Sequence, residues 1–129
     1  MSAVPHIEPW VIEFRRLEPH IENALEYAGG THDVTDVYLA IAAKDMQFWP
    51  GEESVIVTEL VDYPQRKVCN FFLAGGSLAE LEEMAATVEQ WAKEQGCDSA
   101  TLTGRPGWQK TFLRDQGYST SGVAMTKEF

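Results

Sequence analysis

Residues 99–118 read Ser-Ala-Thr-Leu-Thr-Gly-Arg-Pro-Gly-Trp-Gln-Lys-Thr-Phe-Leu-Arg-Asp-Gln-Gly-Tyr, and the chain closes on Val123-Ala-Met-Thr-Lys-Glu-Phe129. This stretch decides the fold class. Asp98 to Thr103 has the composition of a strand. Pro106 suits a first helical turn, where its missing N–H is no loss, and Gly117 suits the left-handed residue that closes a helix. The pattern predicts a helix over 106–116 and a final strand from Tyr118, with a bend near Gly122. A strand–helix–strand passage has to cross over a sheet, so part of that sheet is parallel.

Upstream, three strand-like runs are separated by turn signals: Met46–Trp49, Ser54–Val61 and Lys67–Ala74, with Pro50-Gly51 in the first turn and Tyr63-Pro64 in the second. Connections this short join antiparallel neighbours, so the middle of the chain is a meander. Gly75-Gly76 ends it. Ser77-Leu-Ala-Glu80 then has the spacing of a capping box, and Leu78, Leu81, Ala85, Val88, Trp91 and Ala92 form a wide apolar helical face that stops at Gly96.

The N-terminal third is helical. Trp10, Val11, Phe14 and Leu17 define one short amphipathic helix, which Pro19 is expected to end. A second helix follows from about Pro19 to Ala28, with Ile21, Ala24, Leu25 and Ala28 on one face and Gly29-Gly30 as its stop. Thr31 or Asp33 caps a third, carrying Val34, Val37, Tyr38 and Ile41 and ending near Lys44. The element order is therefore α-α-α-β-β-β-α-β-α-β. The fold class is α+β (mixed α/β), a mixed sheet with helices on both faces. Residues 1–129 read as a single domain, with a helical part (1–45) and a sheet-plus-helices core (46–129).

Charge narrows the partners. Twenty acidic residues against ten basic ones leave a net charge of −10, spread along the chain rather than massed in a tail. Such a surface repels phosphate backbones, so no direct nucleic-acid binding is expected; solubility is the plain reading of the charge, and docking onto a basic partner surface the sharper one. No apolar run is long enough to cross a bilayer, and Met1 to Ile12 lacks the pattern of a secretion signal. No membrane partner is expected. Cys69 and Cys97 lack metal-ligand spacing and read as buried thiols of a reducing compartment, with a disulfide as the alternative. His6, His20 and His32 are scattered without partners at ligand spacing, so no metal site is expected.

From Met46 to the end, this order of elements resembles the fold of GNAT-type N-acetyltransferases, and Gly117-Tyr118 with the helix before it carries much of the resemblance. The Thr103-Gly-Arg-Pro-Gly-Trp108 run, the Gly-Tyr pair and the Lys127-Glu-Phe129 terminus look like short GNAT-like proteins encoded among tailed-bacteriophage structural genes. The strand that usually opens a GNAT domain is not evident, since Val4–Trp10 contains Pro5 and Pro9.

The resemblance also says where chemistry belongs. Active members bind the coenzyme A pyrophosphate on a Gln/Arg-x-x-Gly-x-Gly/Ala loop at the start of the helix after the meander. Glycines there let backbone amides approach phosphate, helped by the positive end of the helix dipole. The matching stretch here is Phe72-Leu-Ala-Gly-Gly-Ser-Leu-Ala-Glu80, which offers Leu73, Gly75, Gly76 and Ser77 but no Gln or Arg at the right spacing. Glu80, Glu82 and Glu83 in the first turns repel a diphosphate. The tyrosine general acid of many members falls four residues before the helix-ending glycine, which is Leu113 here. Tyr118 reads as core. Glu59, within Val57-Thr-Glu-Leu-Val61, is the candidate base, and a solvated strand face is its other reading. Arg105-Pro-Gly-Trp108 is a polar-aromatic knot that either anchors its helix or meets a ligand.

The expected function is that of a non-catalytic GNAT-fold protein of a tailed phage or prophage, a virion or assembly component contacting other phage structural proteins. It is expected in the host cytoplasm during assembly and possibly in the virion, with no cofactor. The alternative is an N-acyltransferase using acetyl-CoA or another acyl-CoA through a degenerate loop. An acidic regulatory or inhibitory protein is the third reading.

Overall fold

In a computed structural model that describes residues 7–103, 116–122 and 124–129, the first helix, α1, runs unbroken from Pro9 to Leu25, straight through Pro19. Two helices were expected here and one is found. Pro19 sits on the exposed side of α1, where water can satisfy the carbonyl that loses its partner. An interior proline costs about 3 kcal/mol. Phe14, Leu17, Ile21 and Ala24 are buried along the opposite side on both flanks of Pro19. At about 1.5–3 kcal/mol for each large side chain, that burial outweighs the break.

Left-handed Gly29 and Gly30 lead out of the helix. The second helix, α2 (Val34–Ala42), begins with a reciprocal cap: Asp33 accepts from the Asp36 amide at 2.9 Å, and Asp36 accepts from the Asp33 amide at 3.0 Å. Lys44, with φ at 65°, turns the chain into the sheet.

Strands β1 (Gln47–Pro50), β2 (Ser54–Asp62) and β3 (Lys67–Gly76) form the expected antiparallel meander. Helix α3 (Leu78–Glu94) crosses over and delivers β4 (Ser99–Leu102) parallel to β3, giving the sheet order β1-β2-β3-β4. The α3–β4 turn is pinned to the start of β3: Asp98 accepts from the Lys67 amide at 2.9 Å, and the Lys67 ammonium donates to the Gln95 carbonyl at 2.9 Å.

Two apolar layers enclose the sheet. Helices α1 and α2 pack on one face, where Phe14, Leu17, Ile21, Val37 and Ile41 meet Val55, Val57 and Leu73. Helix α3 covers the other, with Leu81, Ala85, Val88 and Ala92 against Ile56, Cys69 and Phe71, and Trp91 edge-on to Trp49 at 5.2 Å. The expected final strand is not formed: residues 118–122 and 124–129 carry no strand assignment. Ser119-Thr-Ser-Gly122 lacks the alternating apolar residues that would bury one side of a strand. The expected helix over 106–116 and the Arg105–Trp108 knot lie outside the described residues except at Gln116, as does Leu113.

Candidate functional site

Strand β3 carries both regions where chemistry was expected. Its far end runs through Gly75 and Gly76 into α3. Gly75 pairs with Val55, and a side chain on it would meet the His20 carbonyl of α1 at 2.8 Å. Gly76 has φ at +119° and pairs with Ser54; a Cβ there would lie 2.2 Å from the Glu53 carbonyl. The space these glycines free is thus filled by neighbouring backbone. Leu73 is buried beside Val57 in the layer under α1 and α2.

The start of α3 differs from the expected capping box. The Ser77 hydroxyl accepts from the Glu80 amide, at 3.5 Å. Glu80 does not return the bond. Its carboxylate reaches across to the β1–β2 turn and accepts from the Glu52 and Glu53 amides, each at 2.9 Å. Ser54, brought beside Gly76 by strand pairing, supplies the missing partner: its Oγ accepts from the Ser77 amide at 2.9 Å. The Ser54 hydroxyl, then the Glu53 and Glu52 amides, hold the Glu80 carboxyl below the ordinary carboxylate value. From α1, Arg16 donates to the Gly51 carbonyl at 2.6 Å and to the Glu52 carbonyl, while pairing with Glu13. The hairpin tip is therefore held by a cation on its carbonyls and an anion on its amides. An open depression of about 550 Å³ lies here, lined by Glu13, Arg16, Pro50, Gly51, Glu52 and Glu80.

The middle of β3 is different. Pairing with β2 passes from Leu73↔Val57 to Phe71↔Thr58, so Phe72 is an extra residue, a bulge. Pairing with β4 ends at Phe71↔Leu102. The bulge therefore stands one residue past the point where β3 and β4 separate. It also turns Phe72 and Leu73 both toward the α1–α2 layer, and the His32 ring packs edge-on against Phe72 at 4.7 Å. The Thr31 hydroxyl lies 2.7 Å from His32 Nδ1.

On that same face a polar ladder crosses three strands. Thr101 Oγ1 donates to Asn70 Oδ1 at 3.0 Å, and Asn70 Nδ2 donates to Glu59 Oε1 at 3.0 Å. These residues are direct cross-strand partners. Glu59 and Asn70 are half-buried and Thr101 is exposed. Glu59 is therefore an ordered group in a network.

The candidates do not converge. Gly76 lies six residue steps along β3 from Asn70, about 20 Å of strand. Tyr118 is half-buried, and burial, with Glu89 and Cys69 nearby, pushes its hydroxyl well above the usual tyrosine value. Cys69 is a buried free thiol pushed up to about 11, chiefly by burial; Cys97 is free and half-buried. No group of metal-ligating side chains forms among the described residues. Asn70 and Thr101 escaped the sequence reading, Phe72 was read only as part of the loop stretch, and His32 only as a scattered histidine. The available signal was Asn70 itself, an amide interrupting the apolar run Val68-Cys-Asn-Phe-Phe-Leu73.

Neither a family model nor a curated protein matches this sequence. Solved structures match its fold. A tetramutant protein from Bacillus halodurans superposes with a TM-score of 0.64 at 14% identity, over 92% of this chain and 94% of its own. A GNAT family acetyltransferase from Staphylococcus aureus gives 0.60 at 11% identity, over 92% of this chain and 93% of that one. The fold is GNAT-like. A ribosomal-protein-alanine N-acetyltransferase from Brucella melitensis biovar Abortus also gives 0.60, at 9% identity over 90% of this chain and 95% of its own. In GNAT terms the meander, the crossover helix and the parallel strand are all present, and the sheet opens at the Phe72 bulge. No helix among the described residues is long and apolar enough to cross a membrane.

Proposed function

We propose that this chain is a GNAT-fold protein that does not transfer acyl groups from coenzyme A and works through protein contacts, as a virion or assembly component of a tailed phage or prophage. One observation carries the first half: the helix start that would receive a pyrophosphate is occupied by the protein's own groups. The Ser77 amide is bonded to Ser54, the Glu80 amide to Ser77, and the Glu80 carboxylate is fixed on the β1–β2 turn. The side of Gly75 and of Gly76 where a Cβ would stand faces neighbouring backbone, so the fold itself accounts for both glycines. A diphosphate arriving there meets the held Glu80 carboxylate beside the cap. The second half rests on the likeness of residues 103–108, 117–118 and 127–129 to short phage-encoded GNAT-like proteins, and on a net charge that suits basic partners.

Isothermal titration with acetyl-CoA tests the first half, with no saturable heat expected up to about 1 mM ligand. Micromolar binding would overturn it. Mass spectrometry of purified particles tests the second half, which fails if the polypeptide is consistently missing from virions and assembly intermediates.

The Phe72 bulge favours a second reading, an acyl-CoA-dependent N-acyltransferase with a degenerate loop. Beyond the last β3–β4 pair, a β3 backbone amide near Phe72 would polarise a thioester carbonyl while the amine attacks it. Glu59 would take the amine proton through water, and the C–S bond would break with coenzyme A leaving as a thiolate that water protonates. Acetylation of a lysine or N-terminal amine probe by the pure protein would select this reading.

A further inference from the structure

We propose that Glu59 anchors an arginine side chain of a basic partner polypeptide on the sheet face beside the Phe72 bulge. The inference rests on the protein-contact reading above and names the chemistry of the contact. Among the many acidic residues of this chain, Glu59 is held by two side chains in series from two neighbouring strands. The order of donors is directional. Thr101 gives its hydroxyl proton to Asn70 Oδ1, which leaves the Asn70 NH₂ facing Glu59 Oε1. The amide is thereby used at both ends, and the carboxylate is the terminal acceptor of the chain. Oε1 keeps a second lone pair, and Oε2 makes no hydrogen bond with the described residues. A carboxylate held in place and half-buried loses little freedom on pairing.

The surroundings select the cation. Phe72 and the His32 ring form an aromatic pair on the same face, one bulged position along β3 from Asn70. A planar guanidinium can lie over such rings while its N–H fork meets the carboxylate, which a compact ammonium does less well. The half-buried Glu59 and Asn70 and the exposed Thr101 keep the ladder within reach of a side chain arriving from solvent. A net charge of −10 on the whole chain draws a basic surface toward it. Arginine is also the charged residue most often found as an interface anchor.

The test is an amide NMR titration of the intact chain with N-acetyl-arginine methylamide, its lysine counterpart and the neutral citrulline analogue. The expected result is saturable shifts at the Asn70 side-chain amide and Thr101 near about 10 mM arginine probe, weaker for lysine and negligible for citrulline. Glu59→Gln, which keeps the acceptor for Asn70, should weaken binding about tenfold, and Thr101→Val about threefold. Unchanged binding in Glu59→Gln, equal response to arginine and lysine, or shifts spread evenly over the acids of α1 and α3 would overturn the proposal. An unchanged amide spectrum away from the ladder establishes that each variant folds. The same lysine probe with acetyl-CoA separates the two readings. An acetylated product defeats the non-catalytic function while the arginine titration still decides the anchor, and a failed titration without acetylation removes the anchor alone.

Discussion

The two ends of interest on β3 are built on opposite principles. At Gly75–Glu80 the chain is closed: two glycines press against backbone, the Ser77 amide is bonded to Ser54, and the Glu80 carboxylate is held by the β1–β2 turn. At Glu59–Asn70–Phe72–Thr101 the chain is open, with a bulge, a separating pair of strands and a polar ladder on a half-exposed face. The family resemblance implies a cofactor loop at the first and a candidate base at the second. On the proposed reading the first is a structural joint and the second stays open to a partner.

If that contrast is right, substitutions at the closed end cost stability and those at the open face do not. The largest effect is expected for Gly76→Val, which adds a clash with the Glu53 carbonyl to a backbone conformation that side chains resist. A loss of about 3–5 kcal/mol is expected by urea denaturation. A stable Gly76→Val protein would show that the joint is loose enough to admit a ligand. Leu81→Ala, in the layer under α3, should cost about 2–5 kcal/mol through the cavity it leaves.

Glu80→Gln comes next and carries a pH signature. The folded-state pKa of Glu80 is depressed, so its contribution is present above the ordinary value of 4.5 and is lost as pH falls through the lower folded value. Thermal melts of wild type and Glu80→Gln should therefore differ at pH 7 and converge in acid. A gap that stays constant down to pH 3 would mean the carboxylate is not held as described. Ser77→Ala should cost only about 0.5 kcal/mol, at the low end for a cap, because its 3.5 Å bond is at the limit of useful geometry. Glu59→Gln is the smallest, within about 0.5 kcal/mol of wild type, as for surface changes that keep their hydrogen bond. A loss of several kcal/mol there would make the ladder structural and erase the contrast.

Local patterns were legible wherever the deciding interactions lie within a few residues. The Asp33 cap, the α3 apolar face, the turns at Pro50-Gly51 and Tyr63-Pro64, and the crossover to β4 are all written in spacing and turn chemistry. The candidate site was legible only as a list of residue types. Glu59 was noticed because the family resemblance implies a base on the meander strands and it is the carboxylate within Val57-Thr-Glu-Leu-Val61. Asn70 and Thr101 are 11 and 31 residues removed from Glu59 and from Asn70 respectively, so nothing local announced their bonds. Pro19 misled for a related reason, since its local cost is real and a buried stripe assembled from distant strands overrides it.

Periodicity and turn residues thus determined that the chain would make a meander, a crossover helix and a parallel strand, because those signals act through backbone geometry over a turn or a hairpin. Tertiary structure alone decided where Glu80 spends its carboxylate, that Phe72 stands out of register, and which face Glu59 shares with His32. Hydrogen bonds and packing between elements depend on which surfaces meet, and that is settled only once the apolar layers on both sides of the sheet have closed.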